Sequence, residues 1–334
     1  MLYIRADMND IIATGHIMRC LAIADAAKSM GEDTVFITAD DQPAGLLKER
    51  GYSCHVLGTD WRNPDSELPA LQSFLEECHV QKLLLDSYQV TPAYLKKLDG
   101  LVKVMYLDDL NTFHYSASGL ICYANYWEKF NYTEKYTDTK LFLGPQFVPL
   151  RSVFSHCAEK RIRPRIENLL LLSGGTDPYG ILDGLLRRIP LHEYRRIDVV
   201  CGRYDSAYGM LQEKFASDPV VHIHKAVSAI EEYMERADAA VSAGGTTLYE
   251  LCATGTPTVS YAVADNQLDN VRRFDSDGLI TWCGDVRCED VPGKVLQALE
   301  DCRDEKVRRE RSRKMRELVD GRGAARIVRA MREL

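Results

Sequence analysis

Two short stretches of the chain combine residue types that can do chemistry together. The first is Gly244-Gly245-Thr246-Thr247, with Glu250 three positions further on and Asn266-Gln267 after the next apolar run. It reads as a short buried strand at 239–241, a glycine turn from Ser242 to Gly245, and a helix opening at Thr246 or Thr247. The Thr247–Glu250 spacing is that of a capping box. The helix is expected to stop near Gly255-Thr256-Pro257, before a second buried strand at 258–263. A glycine turn that feeds a helix start presents backbone N–H groups and a positive dipole end, which suits a diphosphate. Glu250, one turn in, is a candidate acceptor for ribose hydroxyls; the alternative is that it only caps its helix.

The second stretch is Asp7 to His16, where a loop joins the first strand (Leu2–Ala6) to a helix at about 16–29. Gly15 lets the backbone pass close to a ligand. A histidine at a helix start has its charged form disfavoured by the dipole, so His16 suits a general base acting near neutral pH. A purely structural histidine is the competing reading. Asp7 is placed to orient the imidazole, to meet a sugar hydroxyl, or to cap the loop. Asp86-Ser87-Tyr88 and Asp108-Asp109 also fall at the carboxyl ends of strands; the second pair reads as loop-structuring or sugar-contacting, because adjacent strand residues point opposite ways. His222 and His224 alternate on one strand with no third ligand at metal spacing, so no metal site is expected.

Composition limits the partners. A net charge of −7 argues against nucleic acid, whose phosphates call for a basic surface. Hydrophobic content of 46% and charged content of 27% fit a globular protein. No apolar run approaches the ~20 residues that span a bilayer, so stable membrane insertion is not expected. The amino-terminal residues carry no signal-peptide pattern, and the ten cysteines are scattered without a C-x-x-C pair, so a cytoplasmic protein with reduced thiols is expected.

The elements that must position these residues alternate along the chain. After Leu2–Ala6 come strands at Thr34–Thr38, 54–57, 82–85, Lys103–Leu107 and Gly119–Cys122, with helices at 43–50 and 70–78 and a polar loop through 61–69. Residues 125–139 show no clean period. A basic stretch broken at Pro164 marks a linker near residue 160, after which the alternation restarts: Asn168–Leu172 before Ser173-Gly174-Gly175-Thr176, a helix at 179–189, then strands at 197–201, 220–224, 239–241 and 258–263. The tail from 291 on is helical and charged, with 308–316 read as a solvated face. This pattern predicts α/β architecture: two doubly wound, Rossmann-like domains (1–155 and 165–334) with parallel sheets and a cleft between them, the last helix being free to pack back on the first domain.

In order along the chain, Arg5-Ala6-Asp7, the run from Gly15-His16 through Arg19 to Ala24, Leu143-Gly144-Pro145, Ser173-Gly174-Gly175-Thr176-Asp177 and the block from Gly244 to Gln267 resemble the pseudaminic-acid-pathway UDP-sugar hydrolases. These are the UDP-2,4-diacetamido-2,4,6-trideoxy-β-L-altropyranose hydrolases, grouped with spore-coat polysaccharide proteins; the wider relatives are the MurG-type glycosyltransferases of the GT-B fold. The resemblance implies that His16 is the catalytic base that activates water, that Tyr88 is an active-site tyrosine, and that UDP leaves with inversion and without a metal or other cofactor. It matches Gly175, Thr246, Thr247, Glu250, Asn266 and Gln267 to positions around the UDP and sugar; Asp7, Gly15, Arg19, Gly174, Gly244 and Gly245 join them as candidate substrate-binding residues. Two stretches depart from the pattern. Residues 121–126 lack the family's Asp-Gln-Asn, and the loop 8–12 lacks its serines, so the sugar's identity is open. A glycosyltransferase and a non-catalytic nucleotide-sugar binder are the other readings. A simple Rossmann dehydrogenase is a poor reading, because no G-x-G-x-x-G follows the first strand.

Overall fold

The structure, a computed structural model, describes residues 1–9, 15–202 and 205–334. The chain forms two compact units, Met1–Ser152 with Gly321–Leu334, and Val153–Asp320.

Unit 1 alternates β1 (Leu2–Ala6), α1 (Gly15–Ser29), β2 (Thr34–Thr38), α2 (Ala44–Glu49), β3 (Ser53–Val56), α3 (Pro64–Glu77), β4 (Lys82–Asp86), α4 (Pro92–Asp99), β5 (Lys103–Leu107), β6 (Gly119–Cys122), α5 (Tyr132–Lys135) and β7 (Lys140–Leu143). The seven strands lie in the order β3-β2-β1-β4-β5-β6-β7, and every pairing is parallel. Runs such as Leu83-Leu84-Leu85 are wholly buried, which is why the strands read as continuous apolar segments. The chain winds outward from β1 to β3, returns, and continues on β1's other side from β4. The loops after β1 and β4 therefore diverge, and such a switch point is where open α/β sheets bind ligands.

Unit 2 repeats the plan with β8 (Asn168–Leu172), α6 (Ile181–Leu186), β9 (Arg196–Cys201), α7 (Tyr208–Lys214), β10 (Val221–Lys225), α8 (Ile230–Arg236), β11 (Ala239–Ala243), α9 (Thr247–Thr254), β12 (Thr258–Ala262), α10 (Asp265–Ser276), β13 (Ile280–Asp285), α11 (Val291–Asp301) and α12 (Glu305–Leu318). Its six strands run β10-β9-β8-β11-β12-β13, with the switch between β8 and β11. The final helix, α13 (Gly323–Glu333), belongs to unit 1. Lysines from the first positions of β4, β5 and β7 cap its carboxyl end: Lys82 donates to the Met331 and Arg332 carbonyls at 2.9 and 2.7 Å, Lys103 to Leu334, and Lys140 to Glu333 at 2.6 Å. Cations satisfy the last carbonyls and oppose the negative dipole end.

Three local expectations are corrected. Residues 64–69 are helical, because Pro64 occupies the first turn, where no N–H partner is needed, and Asp65 and Glu67 favour a helix start. Residues 125–139 contain α5, held by aromatic hydroxyls: Tyr115 and Tyr132 both donate to the buried Asp108. The stretch 308–316 is not a solvated face. Arg308 is fully buried, and its guanidinium donates to the Cys302 and Arg303 carbonyls at 2.7 and 2.8 Å, to Pro164 at 3.2 Å and to Arg163 at 2.5 Å. Ser312 and Met315 are buried on the same face.

Candidate functional site

In unit 1 the switch point assembles a histidine–carboxylate–arginine cluster. β1 and β4 are neighbours with Ala6 opposite Asp86, so the residue that ends β4 faces the start of the helix that follows β1. His16 and Arg19, three apart on α1, project from one helix face. His16 Nδ1 lies 2.6 Å from Asp86 Oδ1, while Arg19 binds the same carboxylate at two points, Nε to Oδ2 at 2.6 Å and Nη2 to Oδ1 at 2.5 Å. Asp86 is completely buried. Burial alone would raise its proton affinity, but the Arg19 guanidinium and the His16 ring outweigh it and hold the carboxyl well below the usual range. An ionised carboxylate only accepts, so Nδ1 carries the imidazole proton and Nε2 carries the lone pair. The 3.0 Å approach of Arg19 Nη2 to Nδ1 is then a contact and not a hydrogen bond, because Nδ1 has no lone pair left.

Tyr88 closes one side of this group. Its ring meets the imidazole edge-on, centroids 4.5 Å apart at 76°, and its hydroxyl donates to Asp109 Oδ2 at 2.9 Å. Partial burial, together with Asp109, raises the phenol above its ordinary value even though Arg19 opposes the rise and the side chain stays partly exposed. Arg19 Nη1 donates to the Tyr123 hydroxyl at 2.8 Å and sits 3.5 Å from Asp109. Burial pushes the Tyr123 phenol up to about 12.

Asp7 does not orient the imidazole. Its carboxylate pairs with Arg5 Nη1 at 2.7 Å and accepts the Ala39 N–H at 2.8 Å, so both its oxygens are engaged within the unit. Asp86 holds the ring instead. Gly15 is the first residue of α1, and among the described residues a Cβ there would meet nothing within 4 Å, so packing against them does not require the glycine. The loop residues 10–14, including most of the 8–12 stretch that departs from the family pattern, lie outside the described residues. The sequence singled out His16, Arg19 and Tyr88, but not Asp86 as the imidazole's partner, nor Tyr123. The signal available for Asp86 was a lone carboxylate closing the apolar run Leu83-Leu84-Leu85.

In unit 2 the loops after β8 and β11 flank the switch, with Leu172 opposite Ser242. Gly174 takes φ +84°, a conformation that favours glycine, and Gly174, Gly175 and Thr246 are exposed. A Cβ on Gly202 would lie 2.0 Å from the Gly175 carbonyl oxygen, so the end of β9 is pressed against this turn. β11 runs two residues further than expected, through Ser242 and Ala243, and the turn is Gly244-Gly245-Thr246. The capping box does not form. Thr246, not Thr247, is the cap residue; it has helical backbone angles and makes no side-chain cap hydrogen bond. Gly244 is needed for packing, since a Cβ would come within 2.2 Å of Val271 Cγ1. Asn270 supports the turn by donating to the Gly244 carbonyl at 2.9 Å, and Tyr249 donates to Asn270 at 2.9 Å. Gln267 accepts the Val263 N–H at 3.0 Å and lies beside Gly245, while Asn266 is exposed on the first turn of α10. Glu250 sits half-buried on the first turn of α9.

Among the described residues no cluster of three or more His, Cys, Asp or Glu side chains could hold a metal ion, and no helix is long and apolar enough to cross a membrane.

Two doubly wound parallel sheets, each with its polar loops gathered at the switch point, define a GT-B protein, and solved structures bear this out. MurG from Acinetobacter baumannii superposes with a TM-score of 0.72, covering 100% of this chain and 99% of its own at 13% identity. The calicheamicin glycosyltransferase CalG4 gives 0.67 at 15% identity, covering 99% and 96%. The UDP-GlcNAc 2-epimerase of Methanocaldococcus jannaschii gives 0.62 at 13%, covering 100% and 99%. No family model matches the chain. In sequence it is similar to the spore coat polysaccharide biosynthesis protein SpsG of Bacillus subtilis, 22% identical over 331 residues, 96% of this chain and 94% of that one. Over 140 residues, 39% of each chain, it is 30% identical to the UDP-N-acetylglucosamine–N-acetylmuramyl-(pentapeptide) pyrophosphoryl-undecaprenol N-acetylglucosamine transferase of Helicobacter acinonychis. The chain is thus similar to SpsG over nearly its whole length and to the transferase over part of it, and it has the GT-B fold of glycosyltransferase structures such as MurG.

Proposed function

We propose that this protein hydrolyses a UDP-linked deoxy-diacetamido sugar at the anomeric carbon, in the biosynthesis of a nonulosonic acid such as pseudaminic acid or of a related surface polysaccharide. The observation that carries the reading is the His16–Asp86 pair, which leaves Nε2 of a buried histidine with its lone pair. Nε2 takes a proton from water as the water oxygen bonds to the anomeric carbon. The bond from that carbon to the phosphate oxygen breaks, and UDP leaves with the electron pair, inverting the centre. Gly174, Gly175, Gly244, Gly245, Thr246 and Thr247 belong to loops suited to the diphosphate, where the start of α9 opposes the growing negative charge. Glu250 serves the ribose hydroxyls, and Asn266 and Gln267 serve the nucleotide or sugar.

A glycosyltransferase would use the same base on an acceptor hydroxyl, and the 140-residue likeness to a transferase favours that second reading. The test is UDP release from a panel of UDP-sugars without acceptor, with His16→Ala beside the wild type. Release that needs His16 and no acceptor supports the hydrolase. Release only after an acceptor is added replaces it with the transferase, and UDP binding without release under either condition leaves only a binding protein.

A further inference from the structure

We infer that Arg19 is a positioning residue that sets the basicity of His16 by clamping Asp86, and not a substrate-binding residue. The inference rests on reading His16 as a general base. Arg19 is 12% exposed, and its donors are engaged within the unit: Nε and Nη2 on Asp86, Nη1 on Tyr123 and near Asp109. Its guanidinium carbon also lies 5.8 Å from the ring centres of Tyr88 and Tyr123. Little of the group is left to meet a ligand.

The clamp solves a chemical problem. A buried carboxylate alone beside an imidazole favours the imidazolium, and a base that already holds its proton cannot take one from water. With Arg19 bound at two points, the carboxylate's charge is matched by a permanent cation. Asp86 still accepts the Nδ1 proton and fixes the tautomer, but it no longer pulls a second proton onto Nε2. The charged and titratable groups around the ring among the described residues are Asp86 and Tyr88 after β4, Arg19 on α1, and, one step removed through Arg19 and Tyr88, Asp109 after β5 and Tyr123 after β6. Cys20 adds a thiol 3.4 Å from Asp86 Oδ2, kept neutral by burial and by that carboxylate. Of these neighbours only Arg19 is a fixed cation.

The experiment is an NMR titration of the full chain with labelled histidine, the His16 signal being identified by its loss in His16→Gln. Arg19→Gln is expected to raise the His16 midpoint by about one pH unit or more. Arg19→Lys, which keeps a cation but not the two-point grip, is expected to stay near the wild type. An unchanged or lowered midpoint in Arg19→Gln overturns the inference, since a merely structural arginine would cost thermal stability and leave the midpoint in place. Should Arg19→Gln fail to fold in plain buffer because Asp86 is left buried and unpaired, the titration is repeated in sucrose, which favours the folded chain and adds no charge, and an unchanged or lowered midpoint there overturns the inference. The acidic limb of kcat/KM for UDP release should move upward with the midpoint. The NMR midpoint is read without turnover. A wild-type rate in His16→Ala would therefore sink the hydrolase reading, while the coupling between Arg19 and His16 would still be judged on the midpoint.

Discussion

His16 Nδ1 lies 2.6 Å from Asp86 Oδ1, and the two residues are brought together by the reversal of strand order that sets β1 beside β4. The contact fixes which nitrogen holds the proton. An asparagine at position 86 can present its amide N–H to Nδ1, which moves the proton to Nε2 and removes the base. Asp86→Asn is therefore expected to lower kcat for UDP release by about 10²–10⁴-fold with little change in KM. Steady-state kinetics on the best UDP-sugar of the panel checks this; a kcat within a few-fold of the wild type would exclude the dyad.

Gly202 is expected to control, from outside it, the Gly174-Gly175 loop proposed to hold the nucleotide. An alanine Cβ there would sit 2.0 Å from the Gly175 oxygen and 2.3 Å from its carbonyl carbon, so the Gly174-Gly175 turn must move. Backbone atoms cannot swing aside as a long side chain can. Gly202→Ala should weaken UDP binding at least about tenfold in calorimetry, a change of ~1.4 kcal/mol. Gly209→Ala is the control: a Cβ there meets nothing within 4 Å among the described residues on α7, where alanine is the better helix former. Equal affinities in the two variants would free the β8 loop of any role in holding UDP.

Much of this arrangement is legible in the sequence because parallel strands buried on both faces leave unbroken apolar runs. Leu2–Ala6, Lys103–Leu107 and Asn168–Leu172 form as the runs imply. What local pattern cannot carry is strand order. Asp86 is 70 residues from His16, and Asp7, far closer in sequence, looks the better partner until β1 is known to pair with β4. Charge misleads in a similar way at Arg308, where a run of arginines reads as solvated although one of them satisfies backbone carbonyls inside the unit. At Thr247 the T-x-x-E spacing marks the right helix start but the wrong capping chemistry.

That buried arginine gives a stability prediction. Arg308 supplies donors to four carbonyls, at Arg163, Pro164, Cys302 and Arg303, and so ties α12 to the segment that leads into β8. Arg308→Leu leaves those acceptors without their donor, and a loss on the order of 3 kcal/mol is expected in urea unfolding. Its neighbour Arg309 is exposed and pairs with Glu305 one turn away, so Arg309→Leu should cost no more than about 0.5 kcal/mol. Similar losses for the two would remove Arg308's structural role.

Lys160 carries a pH dependence of the opposite kind. Its ammonium donates to the Met234 and Glu235 carbonyls at 2.7 and 2.8 Å and to Thr256 Oγ1 at 3.1 Å, in place at the carboxyl end of α8. Burial pulls it down to about 7, although Asp238 and Glu235 oppose the shift. In the unfolded chain a lysine titrates near ~10.4. Between these values the unfolded chain binds the extra proton, so this group makes stability rise with pH; below about 7 both states are protonated and its penalty is full and constant. Thiols and phenols titrate in the same window, so the informative quantity is the difference between wild type and Lys160→Met. That difference should grow in favour of the wild type from about pH 7 to about 10 in urea titrations. If it stays flat, Lys160 keeps its proton throughout and the three acceptors hold an ordinary ammonium.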